Sequence, residues 1–366
     1  MASVGEDLLV RERDIKDAIR TVVEGGTLDA EQSAAAMDQI MTGAVTPAQI
    51  GAFLTALRMR GETIEEIAGF ASAMRRHALH VEVGPGDGFV VDTCGTGGDG
   101  SGTFNISTTA AFVIAGAGVR VAKHGNRSVT SKCGSADLLE GLGVAIELSP
   151  SAVARCVNEV GIGFMYAPAF HPAMRFVGPT RREIGIRTVF NILGPLTNPA
   201  GARHQLIGVG HPGIAHKLAS ALSRLGSARA VLVHADEGLD ELGLSGPSTV
   251  TEFDANAGEV RTYSISPEDV GLAAAAPGSL AGGDVDENTR ITLAILTGEP
   301  GPRRDVTLIN AGAGIYAAEA ATSIAEGVDV AKSVIDSGRA MERLERLVAL
   351  TREMVAEADM AGSVEA

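Results

Sequence analysis

Between residues 95 and 102 five of eight positions are glycine (Gly95, Gly97, Gly98, Gly100 and Gly102), and no other stretch narrows the fold as much. A short apolar segment, Phe89-Val90-Val91, leads into the run, and a helical pattern leaves it from about Ser107. A strand that delivers a Gly-rich loop onto a helix start is the seed of an α/β unit. Glycine lets the backbone approach a ligand closely and take positive φ, and all five are expected to serve that purpose. Asn105, Ser107 and Thr108 fall where the helix begins, and the free N–H groups and dipole there suit a phosphate. The run matches neither G-x-G-x-x-G with an acid ~20 residues on nor a G-K-[ST] ending. It reads as a phosphate loop of another kind, although a plain Gly-rich turn with a Ser/Thr cap would have the same composition.

The chain upstream reads as helices only. Asp29 with Gln32 can cap a helix through Met37, Ile40 and Met41. Thr46-Pro47 with Gln49 forms a capping box ahead of Ile50, Phe53, Leu54 and Leu57, and Gly61 stops that run. Thr63 with Glu66 opens a third helix burying Ile67, Phe70 and Met74. Downstream, β-type runs at 119–122, 205–209 and 230–233 alternate with helical stretches such as 214–225. Alternation predicts a mostly parallel sheet covered by helices. Runs 250–253 and 260–265 read as a hairpin on one edge. Helices then dominate 287–358, and the last residues, from Ala358, are expected to fray. At ~150 residues per domain, 366 residues suggest two.

Composition removes several classes. Lys and Arg number 30 against 45 Asp and Glu, so the formal charge is −15, which disfavours a general nucleic-acid binder. Trp is absent and Phe plus Tyr number 13, too few for a stacking platform along a single strand. The longest apolar run, Ala110 to Val119, is far short of the ~20 residues of a membrane span. The start, MASVGEDLLV, lacks the basic and apolar regions of a signal peptide. Cys94, Cys133 and Cys156 have no CxxC spacing, which predicts reduced thiols in the cytoplasm and no zinc site.

Three further segments carry chemistry. Lys123 to Asp137 follows a strand and gathers Lys123, Arg127 and Lys132 with Ser128, Thr130, Ser131 and Ser135, a donor set for a highly anionic ligand. The adjacent acids Asp240 and Glu241, in a loop after a strand, are a Mg²⁺ pair if phosphates lie near, and a surface acidic pair otherwise. Arg175 and Arg182 are seven apart and would share a helix face if the segment is helical, able to grip a carboxylate or to pair with acids such as Glu183.

The motifs GTGGDG at 95–100, FNIST at 104–108, KHGNR at 123–127, GSAD at 134–137, HPAMR at 171–175, RRE at 181–183, RTVFNILGPLTNP at 187–199 and GLDE at 238–241 together resemble the anthranilate phosphoribosyltransferase family. Helical start and end extend that likeness over nearly the whole chain. The resemblance implies a small helical domain, residues 1–82 with part of 165–195 returning to it. It also implies a larger α/β domain, residues 83–366, and a homodimer joined through the small domain. It implies transfer of phosphoribose from 5-phosphoribosyl 1-pyrophosphate (PRPP) to the amine of anthranilate, in tryptophan biosynthesis. Carried over by motif, Gly95, Gly98, Asp99, Thr103, Asn105, Ser107, Thr108, Lys123 and Ser135 would hold PRPP. Ser107, Asp240 and Glu241 would serve Mg²⁺, with two ions expected. Gly95, His124, Asn126, His171 and Arg181 would line the anthranilate path, Arg181 facing the carboxylate.

Departures are minor: Val129 and Thr130 stand where small hydroxyl residues are common, and Gly178-Pro179-Thr180 precedes the arginines. Cys94 and Cys133 lie inside the loops as small fillers. A good leaving group and a neutral amine nucleophile predict catalysis by positioning and charge, with no triad. The rivals are a pyrimidine nucleoside phosphorylase, disfavoured by KHGN and GLDE, a non-catalytic nucleic-acid-binding relative, and a PRPP-dependent transferase with another aromatic amine.

Overall fold

The structure, a computed structural model, describes residues 14–86, 88–128 and 132–364, with side chains at the C-terminal end as far as residue 360 apart from residue 359. The signal-peptide reading of the first ten residues lies outside it, as do Val129, Thr130 and Ser131 of the second loop. The capping chemistry of the N-terminal helices is realised. Helix α1, Ile15–Val23, is capped by Asp14. Helices α2, Ala30–Met41, α3, Pro47–Arg60, and α4, Ile64–Arg76, each begin with a full capping box, on Asp29/Gln32, Thr46/Gln49 and Thr63/Glu66. Glu66 does more than close a box. Its carboxylate is fully buried and accepts from the Leu28 and Thr63 amides, both at 2.9 Å, and from the Arg60 guanidinium. One acid thereby ties the loop before α2, the end of α3 and the start of α4.

The rest is an α/β layer structure. Strand β1, Val90–Gly95, leads through the Gly-rich loop to α5, Ile106–Gly116, and β2, Arg120–Gly125. Helices α6, Ser135–Gly141, and α7, Pro150–Val160, precede β3, Ile162–Tyr166. The next stretch holds the short α8, Ala167–Phe170, a 3₁₀ turn at Pro172–Phe176, α9, Gly178–Ile184, and α10, Phe190–Leu193. Strand β4, His204–Gly208, α11, Ala215–Arg224, β5, Arg229–Ala235, and the hairpin β6, Ser248–Asp254, with β7, Glu259–Ile265, complete the sheet. Helices α12, Val285–Leu296, α13, Pro302–Ala317, α14, Ile324–Asp336, and α15, Arg339–Val364, close the chain. Sheet order is β3-β2-β1-β4-β5-β6-β7, parallel through β5 and antiparallel at the hairpin edge.

Two sequence expectations are corrected. Strand β3 is not among the expected strands: Ile-Gly-Phe-Met-Tyr is short and follows α7 directly through Gly161, left-handed at φ +88°. The C-terminal helix does not fray from Ala358 but continues to Val364.

Adjacent sheet residues point to opposite cores. Leu206 and Val231 bury against α5 and α12 to α15, while their neighbours Ile207 and Leu232 bury against α11 and α1 to α4. Val177, Val189, Phe190 and Leu193 enter that second core, so the segment after β3 runs back to the helical unit. Phe53 and Phe70 meet edge-to-face there at 5.9 Å. Each fully buried ring of this kind contributes about 1.5–3 kcal/mol. Among the described residues no helix is long and apolar enough to cross a membrane, and the three cysteines form no disulfide.

Candidate active site

The carboxyl ends of β1, β2, β4 and β5 open on one side of the sheet, where α/β folds place their ligands. A cleft of about 480 Å³ lies there, between the sheet and the segment that returns to the helical unit. The Gly-rich loop forms one wall. Gly97, Gly98, Gly100 and Gly102 take positive φ. Gly95 does not, contrary to expectation: it is the last residue of β1 and is needed small, since a Cβ there would stand 2.6 Å from Asp240 Oδ2. Gly98 is small because the Arg187 guanidinium lies on it, with Nη1 1.8 Å from a would-be Cβ.

Asp240 and Glu241 form the floor. Asp240 Oδ2 accepts from the Gly97 amide at 3.0 Å, and the Asp240 amide donates to Asp99 Oδ2 at 3.4 Å. Glu241 Oε1 accepts from the Ser107 amide at 3.1 Å, so a carboxylate sits on the positive end of α5. Burial and the neighbouring Asp99 push the Asp240 carboxyl up to about 7. Burial and Asp240 push Glu241 up to about 8. Lys123, buried, donates to the Thr93 carbonyl and reaches Ser107 Oγ at 3.5 Å, and burial lowers its pKa. Two acids crowded until they retain protons near neutrality are a fit for a divalent cation, which supplies the missing counter-charge. Among the described residues no three His, Cys, Asp or Glu side chains converge as a closed metal site.

The second loop is less cationic toward the cleft than its sequence suggests. Arg127 pairs with Asp137 and Glu140, and Lys132 is exposed away from the lining. Asp137 caps the start of α6 through the Ser128 and Gly134 amides. Ser135 Oγ donates to the Asn126 carbonyl at 3.1 Å, closing the loop on itself. Cys94 and Cys133 thiols are pushed up by burial, Cys133 to about 11, and stay protonated.

Opposite the Gly loop stands Arg181 of α9, over the Phe190 ring at 5.3 Å, with its pKa lowered by burial and, among the described residues, no carboxylate paired with it. Arg175 and Arg182 do not share a helix face. Arg175 ends the 3₁₀ turn over the Phe176 ring, and Arg182 lies on α9 beyond the break at Val177. Neither lines the cleft or pairs with Glu183. Asn126 and His124 line the cleft, while His171 sits behind His124, ring centroids 5.0 Å apart. Burial lowers both imidazoles, His124 to about 3 and His171 to about 4, so both are neutral at pH 7.

Gly95, Gly98, Asp99, Thr103, Asn105, Ser107, Thr108, Lys123 and Ser135 all line this one cleft with Asp240, Glu241 and Arg181. Among the lining residues that the sequence alone leaves without a role are Arg187 and Asn191. Arg187 reaches the Gly97 carbonyl at 3.4 Å from the returning segment. Its only signal was membership of the 187–199 motif.

Two family models match the chain. One describes the a/b domain of a glycosyl transferase family and covers residues 87–341, and the other describes that family's helical bundle domain and covers residues 16–78. The anthranilate phosphoribosyltransferase of Chloroflexus aurantiacus is 60% identical over 341 residues, 93% of this chain and 99% of its own. That of Herpetosiphon aurantiacus is 57% identical over 336 residues, 91% and 98% of the two chains. The crystal structure of the Thermus thermophilus enzyme matches with TM-score 0.87 and 46% identity, covering 92% of this chain and 99% of its own. The Saccharomyces cerevisiae enzyme, solved in complex with PRPP and Mg, matches with TM-score 0.83 and 29% identity over 93% and 98%.

Proposed function

The chain belongs to this glycosyl transferase family, among its anthranilate phosphoribosyltransferases, and from that membership we propose that the cleft transfers phosphoribose from PRPP to the amine of anthranilate. The observation that carries the reading is the acid pair at the start of α5. Asp240 and Glu241 hold carboxyls at about 7 and about 8, beside a loop whose glycines and helix-end N–H groups suit phosphates. The Gly95 to Thr108 wall, with Lys123 and Ser135, binds the donor. Asp240, Glu241 and Ser107 take magnesium, which neutralises the diphosphate as it departs. Two ions are proposed, to be counted by calorimetry with PRPP present.

Among the described residues Arg181 pairs with no carboxylate, and it would receive that of anthranilate, a bidentate match. His124 stays neutral and, with Asn126 and the His171 ring behind it, shapes the acceptor path without placing a second charge there. The amine needs no strong base, because it is neutral at pH 7 and attacks a sugar centre made electron-poor by the leaving diphosphate. Rate then comes from holding amine and sugar carbon in line.

The proposal extends to organisation. Residues 1–82 with part of 165–195 form the helical domain, and 83–366 form the donor domain. Exposed apolar residues on α1 and α3, Val23 at 67% and Met59 at 84%, support a homodimer through the helical domain. That the three cysteines form no disulfide supports a reducing, cytoplasmic setting. The direct test follows anthranilate fluorescence after adding PRPP and Mg²⁺, with EDTA and PRPP-free controls. Magnesium-dependent loss with equimolar pyrophosphate is expected. Persistent fluorescence with PRPP still bound would move the acceptor to another aromatic amine.

A further inference from the structure

We propose that Asn288, on α12, is a positioning residue for the donor site: it decides which face of the Asn105 amide the cleft presents. The inference rests on the reading of Asn105 as a contact for the donor's phosphates. Three hydrogen bonds run in a line. The Gly283 amide donates to Asn288 Oδ1 at 2.8 Å, Asn288 Nδ2 donates to Asn105 Oδ1 at 2.9 Å, and Asn105 Nδ2 donates to the Cys133 carbonyl at 3.0 Å.

The two ends of the line set its direction. A backbone N–H can only donate and a carbonyl can only accept, so neither amide can be turned over without setting like against like at one end. The Asn105 oxygen therefore faces α12, and its NH₂ faces the second loop and the cleft. One of those hydrogens goes to Cys133, and the other is left for a ligand. An anion accepts hydrogen bonds and gives none, so only this orientation serves it. Asn288 itself is 1% exposed and does not line the cleft. Its burial is compensated only through hydrogen bonds of this kind. Thr109 and Thr292 hydroxyls, 3.0 Å apart, tie α5 to α12 independently, so α12 stays docked when the amide line is altered.

Asn288→Asp is the test, because it keeps the shape and inverts the message. Its carboxylate still accepts from Gly283 but turns a charged acceptor toward Asn105, a stronger one than the Cys133 carbonyl, and so draws the Asn105 NH₂ to α12 and sets the amide oxygen toward Cys133 and the cleft. Loss of one hydrogen bond to a charged ligand, replaced by an acceptor, raises KM for PRPP about tenfold or more while KM for anthranilate holds. In an Asn105→Ala background the same substitution changes KM for PRPP by less than about twofold, since its route is gone. Asn288→Ala, which leaves the Cys133 carbonyl alone to hold the Asn105 amide, gives a smaller rise of about threefold and serves if the Asp variant does not fold. Equal rises in both KM values, or an undiminished effect in the Asn105→Ala background, would overturn the proposal. If Asn105→Ala leaves KM for PRPP unchanged, the donor reading of Asn105 falls and this inference with it. If Asn105→Ala raises that KM and both Asn288 variants are silent, the relay alone falls.

Discussion

At the scale of single residues the cleft is a set of groups held away from their ordinary ionisation. Asp240 and Glu241, at about 7 and about 8, keep protons that the unfolded chain gives up near pH 4. Raising the pH from about 4 to about 8 therefore costs the metal-free protein stability, because only the folded state resists ionisation. The melting temperature without metal should fall over that window, and Asp240→Asn or Glu241→Gln should flatten the fall. Each substitution should also lower turnover about 10²-fold and raise the magnesium midpoint, since a charge ligand is lost at the point where diphosphate charge develops. A magnesium titration of initial rates reads both effects, and unchanged midpoints would contradict the assignment. The histidines act on the acid side. His171 is lowered from 6.5 to about 4, so below pH 6.5 the unfolded chain takes a proton that the folded one refuses, and stability is lost as pH falls toward 4. His171→Asn should remove up to about 3 kcal/mol of that acid sensitivity, measured by denaturant unfolding at pH 4 and 7.

At the scale of elements the local signals were strong where chemistry is local. A cap and its partner three residues on set where α2, α3 and α4 begin, and each box is formed as the spacing required. The misreadings involve elements whose limits are set elsewhere. Strand β3 is five residues long and exists because β2 offers it a parallel edge. Arg175 and Arg182 lost their common face because the chain breaks at Val177, which is buried against the helical unit. Glu66 shows a cap acquiring a second role that spacing could not reveal. Glu66→Ala should cost about 3–5 kcal/mol, well above the ~1 kcal/mol of a lost cap, because the half-buried Arg60 would lose its carboxylate and the Leu28 amide its acceptor. Chemical unfolding of this variant against Thr63→Ala separates the two contributions, and equal losses would mean that the Arg60 pair adds nothing.

At the scale of the whole molecule, the site is made where four strand ends meet a segment that leaves the sheet and returns. Val177, Val189, Phe190 and Leu193 anchor that segment in the helical core, so Arg181 and Arg187 face the Gly loop across the cleft. The proposed assembly belongs to this scale as well. Met59→Lys should shift the protein from dimer to monomer in sedimentation velocity by placing a charge in an apolar contact, and an unmoved distribution would place the interface elsewhere. The chain by itself determined the helix starts, the strand–loop–helix order and the residue types that suit phosphate, metal and carboxylate, because caps, glycines and charge spacing act within a few residues. Only the tertiary structure decided that Gly95 is small for Asp240, that Arg127 is spent on Asp137 and Glu140, that His171 stands behind His124 and that Asn288 orients Asn105. Those pairs are brought together by strand order and core packing, and their chemistry depends on burial, which no single segment of sequence carries.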